Sequence, residues 1–114
     1  MGFVKIINKK YEVPELNFAH SKQLELYGVP LRRLVDPDLI FTIASAFVAI
    51  VVQVTPVEAD YIVEQHIMGG GSIEDIYSAY FKAVSESHFF KKLLEGQEKQ
   101  AKSKKAVNQE EPTE

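Results

Sequence analysis

The spacing of apolar positions changes along this chain, and each change predicts a different element. Near the N-terminus Phe3, Val4, Ile6 and Ile7 surround one lysine, and Tyr11 and Val13 resume the pattern after Asn8-Lys9-Lys10. β-Branched and aromatic residues suit a pleated strand and Asn accepts left-handed backbone angles, so residues 3–7 and 11–13 read as a hairpin. Pro14 cannot donate to a ladder and ends the second strand. A lone hairpin is marginal in water and must lie on something apolar. Asn17 then caps a short helix to about Tyr27, with Leu24 and Tyr27 facing inward. Gly28 and Pro30 break it, and Leu31, Leu34 and Val35 predict one further helical turn.

Asp36-Pro37-Asp38 has the form of an N-cap, a proline at the first helical position and an acid in the first turn. The segment it opens, Leu39 to Val54, carries no charge, and its polar residues are Thr42, Ser45 and Gln53. These fall with Ala49 on one narrow helical stripe, and ten large apolar side chains cover the rest of the circumference. A helix apolar nearly all round belongs in a core or an assembly, since each large side chain gains about 1.5–3 kcal/mol on burial. A strand over Phe47 to Val54 is the competing reading, because periodicity does not separate a buried strand from a buried helix in so short a run. A membrane span is disfavoured: the 16 uncharged residues fall short of the roughly 20 needed.

Thr55-Pro56-Val57-Glu58 is a capping box and starts a helix to about Met68, where Gly69-Gly70-Gly71 stops it. Ser72-Ile73-Glu74-Asp75 starts the last one. Its inner face is predicted to run through Ile73, Ile76, Tyr77, Tyr80, Phe81, Val84 and His88 in a single helix, with Gly96 as its stop. Phe89 and Phe90, being adjacent, point about 100° apart, so one of them is predicted to be exposed or partner-facing. From Gln97 onward the chain is almost devoid of apolar residues and reads as a disordered tail. The expected organisation is a mainly α domain with an N-terminal β-hairpin over residues 1–95 and a polar linker over 96–114.

Composition narrows the functions. The chain has 114 residues, 46% hydrophobic and 25% charged, which fits one domain. A net charge of -3 offers no basic excess for displacing counterions from phosphates, so no nucleic-acid role is expected. The absence of cysteine excludes disulfides and thiolate metal sites. No signal-peptide pattern opens the chain, and Ile6 stands where myristoylation wants Ser or Thr.

No catalytic, metal or cofactor site is expected. His20, His66 and His88 lack helical metal-ligand spacing, with Glu64 and His66 the nearest to a seed. The triple glycine precedes a helix, but no Gly-Lys-Ser/Thr follows, and Glu74 and Asp75 would repel a phosphate. Glu58, Asp60, Glu64, Glu74 and Asp75 lie at helix starts or on polar faces, and no nucleophile has a partner.

In their order these features resemble the tail assembly chaperones of siphophages infecting Gram-positive bacteria. The resemblance rests on the hairpin VKIINKKYEV, an Asn-Phe opening to a short helix, and an uncharged central helix. It continues through a glycine-rich break, the segment GGGSIEDIYSAYFKAVSESHFF, and a polar Lys/Glu tail; the hairpin turn reads Asn-Lys where Asn-Gly is expected. The resemblance implies a non-enzymatic protein of the host cytoplasm that coats the helical tape-measure protein and brings tail-tube subunits to it. It also implies a longer form made by ribosomal frameshift, with this chain the shorter form; the chain is expected to self-associate as a homo-oligomer. A Lys-Lys pair such as Lys104-Lys105 can be encoded by A-rich slippery codons, so a slippery heptamer is expected near the end of the reading frame. The partner-binding groove is expected on Phe41, Phe47, Val48 and Val51 with Phe89 and Phe90. The alternative function is a small structural or head–tail connector protein of the particle.

Overall fold

The computed structural model describes residues 2–96, and the expected polar tail, apart from Gly96, lies outside them. The architecture is mostly helical with an N-terminal antiparallel hairpin, as the pattern predicts. Strands β1 (Gly2–Ile6) and β2 (Lys9–Val13) pair in the register Gly2↔Val13, Val4↔Tyr11 and Ile6↔Lys9. Alternation buries Val4, Ile6 and Val13 on one face and leaves Phe3, Lys5 and Glu12 outside. The turn is tighter than expected. Ile7 and Asn8 alone form it, with φ of 50° and 64°, where the sequence points to Asn8-Lys9-Lys10. Both positions of a two-residue turn of this hand need positive φ, which is unfavourable for a β-branched residue such as Ile7.

Helix α1 (Phe18–Leu26) starts where predicted, on Asn17, whose side chain accepts from the N–H groups of Ala19 and His20. His20 completes the box: its Nδ1 accepts from the Asn17 N–H at 3.0 Å, a role usually given to Glu or Gln. Short 3-10 turns follow at Leu31–Arg33 and Pro37–Leu39, and the second leads into α2 (Ile40–Val52). The strand alternative for residues 47–54 is thus overturned: the segment is helical to Val52. Gln53 adopts the left-handed conformation at φ 65°, and the Val54 N–H closes the helix on the Ala49 carbonyl.

Helix α2 is the centre of the domain, packed on α1, β2, α3 (Pro56–Met68) and α4 (Ile73–Glu86). Its buried residues Ile43, Ala44, Phe47, Val48 and Ile50 share one core with the hairpin's Val4 and Ile6 and with Ile76, Tyr80 and Val84 of α4. Phe47 and Tyr80 stack edge-to-face at 5.5 Å between ring centroids. The Tyr80 hydroxyl donates to the Leu34 carbonyl at 2.6 Å, and Tyr77 donates to Val35 at 2.7 Å. These bonds tie the loop before α2 to α4. Burial, and to a smaller extent the neighbouring Tyr77, push the Tyr80 phenol well above its ordinary pKa.

The long last helix is in fact two. Helix α4 ends at Glu86, Ser87 takes an extended conformation, and a second helix, α5, covers residues 88–96. Ser87 is fully buried and acts at the junction: its hydroxyl donates to the Leu16 carbonyl at 2.6 Å and accepts from the Phe90 N–H at 3.1 Å. It therefore caps α5 while anchoring it to the loop after the hairpin. The break rotates His88 out of the inner stripe; it is exposed and pairs with Glu15 at 2.9 Å. Gly96, expected to stop the helix, is itself helical.

Candidate functional site

Of the six residues expected to bind a partner, three are corrected by their burial. Phe47, Val48 and Phe90 have no exposed surface and are core. Their faces of α2 and α5 are covered by neighbouring elements, which a reading of α2 as apolar all round could not anticipate. Val51 is half-buried against the core, and so is Phe89, whose ring stands edge-on to Phe18 at 6.0 Å. Of the adjacent pair Phe89 and Phe90, the first is the accessible one.

Phe41 remains. It is 70% exposed and is the one exposed residue of α2. Beside it lies α3, whose Thr55–Glu58 box forms as predicted: the Glu58 N–H donates to Thr55 Oγ1, and the Thr55 N–H donates to Glu58. With its start fixed there, Ala59, Val63 and His66 face the core. The opposite side of the same helix exposes Val57, Tyr61 and Met68, at spacings of four and seven residues. Those spacings hold one stripe of an α-helix, so the exposure is continuous along it.

Between the two helices runs an apolar groove of about 260 Å³, lined by Phe41, Val63, Ile67 and Met68 with Ser45, Asp60 and Glu64. Phe41, Ser45 and Asp60 also line an adjoining hollow of about 310 Å³ that reaches Tyr27, Thr42 and Pro56. The Ser45 hydroxyl donates to the Asp60 carboxylate, which fixes that charge across the helix pair. Apolar patches that carry large side chains at this exposure are sites of association more often than inert surface.

The charge around the groove is one-sided. From Leu34 to Phe81 the chain has no lysine or arginine, yet Asp36, Asp38, Glu58, Asp60, Glu64, Glu74 and Asp75 fall within it. The first of these has partners of its own: a backbone bond from Asp38 and then the Arg33 guanidinium just outside the stretch, 2.8 Å away, hold the Asp36 carboxyl below its usual range. Asp60 and Glu64 stand in the groove itself. This segregation was readable in the sequence as a run without cations, and it marks the groove better than aromatic content does.

A larger cleft of about 620 Å³ lies between the hairpin, the glycine loop and α4. At its base His66 Nδ1 accepts from the Ile7 N–H at 3.1 Å, which leaves Nε2 to donate to the Ser72 carbonyl at 3.2 Å. One buried ring thus ties the hairpin turn to the α3–α4 junction. A Cβ on Gly71 would overlap that ring, which explains glycine there. The α4 N-terminus is occupied by its own chain: the Glu74 N–H donates to Ser72 and the Ser72 N–H to Asp75. With both ring nitrogens and these amides engaged, the cleft is a joint of the fold, and the apolar groove is the better candidate site.

The histidines stand in three separate settings: His20 caps α1, His66 lies under the hairpin, and His88 pairs with Glu15. Glu64 faces the groove while His66 faces the core, so the pair does not converge. Among the described residues no single helix is long and apolar enough to cross a membrane. No family model, curated protein or solved structure matches the chain.

Proposed function

We propose that this chain is a tail assembly chaperone of a siphophage or prophage, a non-enzymatic protein that binds the helical tape-measure protein in the host cytoplasm and keeps it soluble. Tail-tube subunits would be recruited through a longer, frameshifted form, and the chaperone would act as a homo-oligomer. The observation that supports this reading most is the apolar groove that Phe41 of α2 and Val63, Ile67 and Met68 of α3 line on a well-packed helical domain. A client that is one long helix presents apolar anchors every three or four residues, and a groove between two helices receives such anchors. The order of hairpin, uncharged helix, glycine break and aromatic helix adds the resemblance described above.

The test is co-expression with the longest coiled-coil protein encoded downstream in the same genome, followed by size-exclusion chromatography with light scattering. A large soluble complex, formed with a partner that is insoluble alone, is the expected outcome. Persistence of this chain in finished particles, with no rescue of the partner, would instead favour a structural connector. At the gene level a slippery heptamer near the codons of Lys104-Lys105 is expected, with an overlapping frame beyond it.

A further inference from the structure

We propose that the groove between α2 and α3 is selective for a cationic amphipathic helix, one with apolar anchors on one side and lysine or arginine flanking them. The class of partner rests on the helix-binding reading above; the location and the sign of its charge come from the groove.

Two independent features converge. The α3 wall of the groove runs from Asp60 to Met68, about 12 Å or roughly two turns of a partner helix laid alongside, and the exposed Val57 and Tyr61 of the same helix lie outside that lining. Phe41 borders the groove from α2 and sets its second wall. The charge then decides which helix fits. Asp60 and Glu64 stand in the groove, Glu58 lies one turn before Tyr61, and no lysine or arginine occurs between Leu34 and Phe81 to offset them. Lysines or arginines beside the anchors would meet carboxylates; an acidic helix would meet only like charge. The same argument weighs against a second copy docked through the same face, because a two-fold contact sets each patch against itself and would oppose these carboxylates. Anionic lipid is disfavoured for the same reason.

The probe is a pair of synthetic helical peptides of about 18 residues, identical in their leucine positions and differing only in lysine or glutamate at the flanking sites. Binding to the full chain is read by fluorescence anisotropy. The lysine peptide is expected to bind at least about tenfold more tightly than the glutamate peptide, with the difference shrinking as salt rises. Glu64→Lys and, separately, Phe41→Ser should each weaken the lysine peptide about tenfold or more, with helical circular dichroism unchanged. Equal binding of the two peptides, or unchanged binding by both folded variants, overturns the proposal. So does a dimer that Phe41→Ser dissociates, or binding of the parent chain to phosphatidylserine vesicles that Phe41→Ser abolishes.

The two readings fail separately. If Glu64→Lys and Phe41→Ser still give a soluble complex with the tape-measure protein, the groove assignment is lost and the chaperone reading stands. If the lysine peptide binds at the groove but no such complex forms, the groove stands and the chaperone reading is lost.

Discussion

Phe41 and Phe47 belong to the same helix and meet opposite surroundings. Phe47 is fully buried against Tyr80, while Phe41 is 70% exposed beside α3. Six residues turn an α-helix by about 240°, so the two rings point to different sides of α2. On Phe47's side the chain supplies Tyr80 and the buried residues of α4. On Phe41's side α3 approaches with Val63 and Ile67 but leaves a groove. A helix apolar all round announces that it will be surrounded without saying by what. One side is closed by the chain itself, and the other is left open as a groove.

The sharpest way to break this comparison is to truncate both rings. Phe47→Ala should destabilise the protein by about 3–5 kcal/mol in urea denaturation, because a packed aromatic leaves a cavity that its neighbours only partly fill. Phe41→Ala should change stability by less than about 0.5 kcal/mol while weakening helix binding. Equal losses would mean that Phe41 is structural and the groove is not a site.

On the closed side, Gly71→Ala is expected to cost about 1–3 kcal/mol, since the new methyl must displace the His66 ring from its bonds to Ile7 and Ser72. Amide exchange at Ile7 should accelerate in that variant. Ser87→Ala should cost about 1–2 kcal/mol by leaving the Leu16 carbonyl without its donor and α5 without its cap. Neither change should alter peptide binding at the groove, and either one that did would link the two sides. In the opposite direction, Gln53→Gly should stabilise by about 0.5–1 kcal/mol, because residue 53 sits at φ 65°, where glycine meets no Cβ penalty.

The smallest effect lies far from both rings. Side-chain and then backbone hydrogen bonds from His88 hold the Glu15 carboxyl below the usual glutamate range. A carboxylate whose folded pKa is depressed contributes stability above the unfolded value and loses it as pH falls through the folded one. Glu15→Gln should therefore be slightly less stable than the parent near pH 6. The difference should vanish in acid below the folded pKa, read by thermal unfolding at both pH values.

Much of the fold was legible because local chemistry fixes helix starts. The Thr55 and Ser72 boxes, the Asn17 cap and the Asp36-Pro37 entry all form where their residue types predict. Each satisfies backbone N–H groups that the helix cannot, and this needs only residues within one turn. Less was legible where a remote group intervenes. Ser87 interrupts a helical period that the sequence carries on to His88, because its hydroxyl is claimed by Leu16 from the far end of the chain. Ile7 occupies a turn position that disfavours its type, and its N–H is held by His66. For the candidate site, Phe41 was found by its apolarity, and Phe47, Val48 and Phe90 were included for the same reason although they are core. The run without cations from Leu34 to Phe81 is a further signal in the sequence, which the reading by apolarity did not use.

By itself, then, the sequence determined where the capped helices begin, that the hairpin must rest on an apolar body, and that Leu39 to Val54 must be surrounded, while it left residues 47–54 open between helix and strand. These follow from capping, turn chemistry and period, which act over a few residues. The tertiary structure alone decided which side of α2 is closed, that Ser87 divides the last helix, and that Phe41 with Asp60 and Glu64 borders an open groove. Those outcomes depend on which surfaces meet across tens of residues, and apolarity, being non-directional, does not specify its own partner.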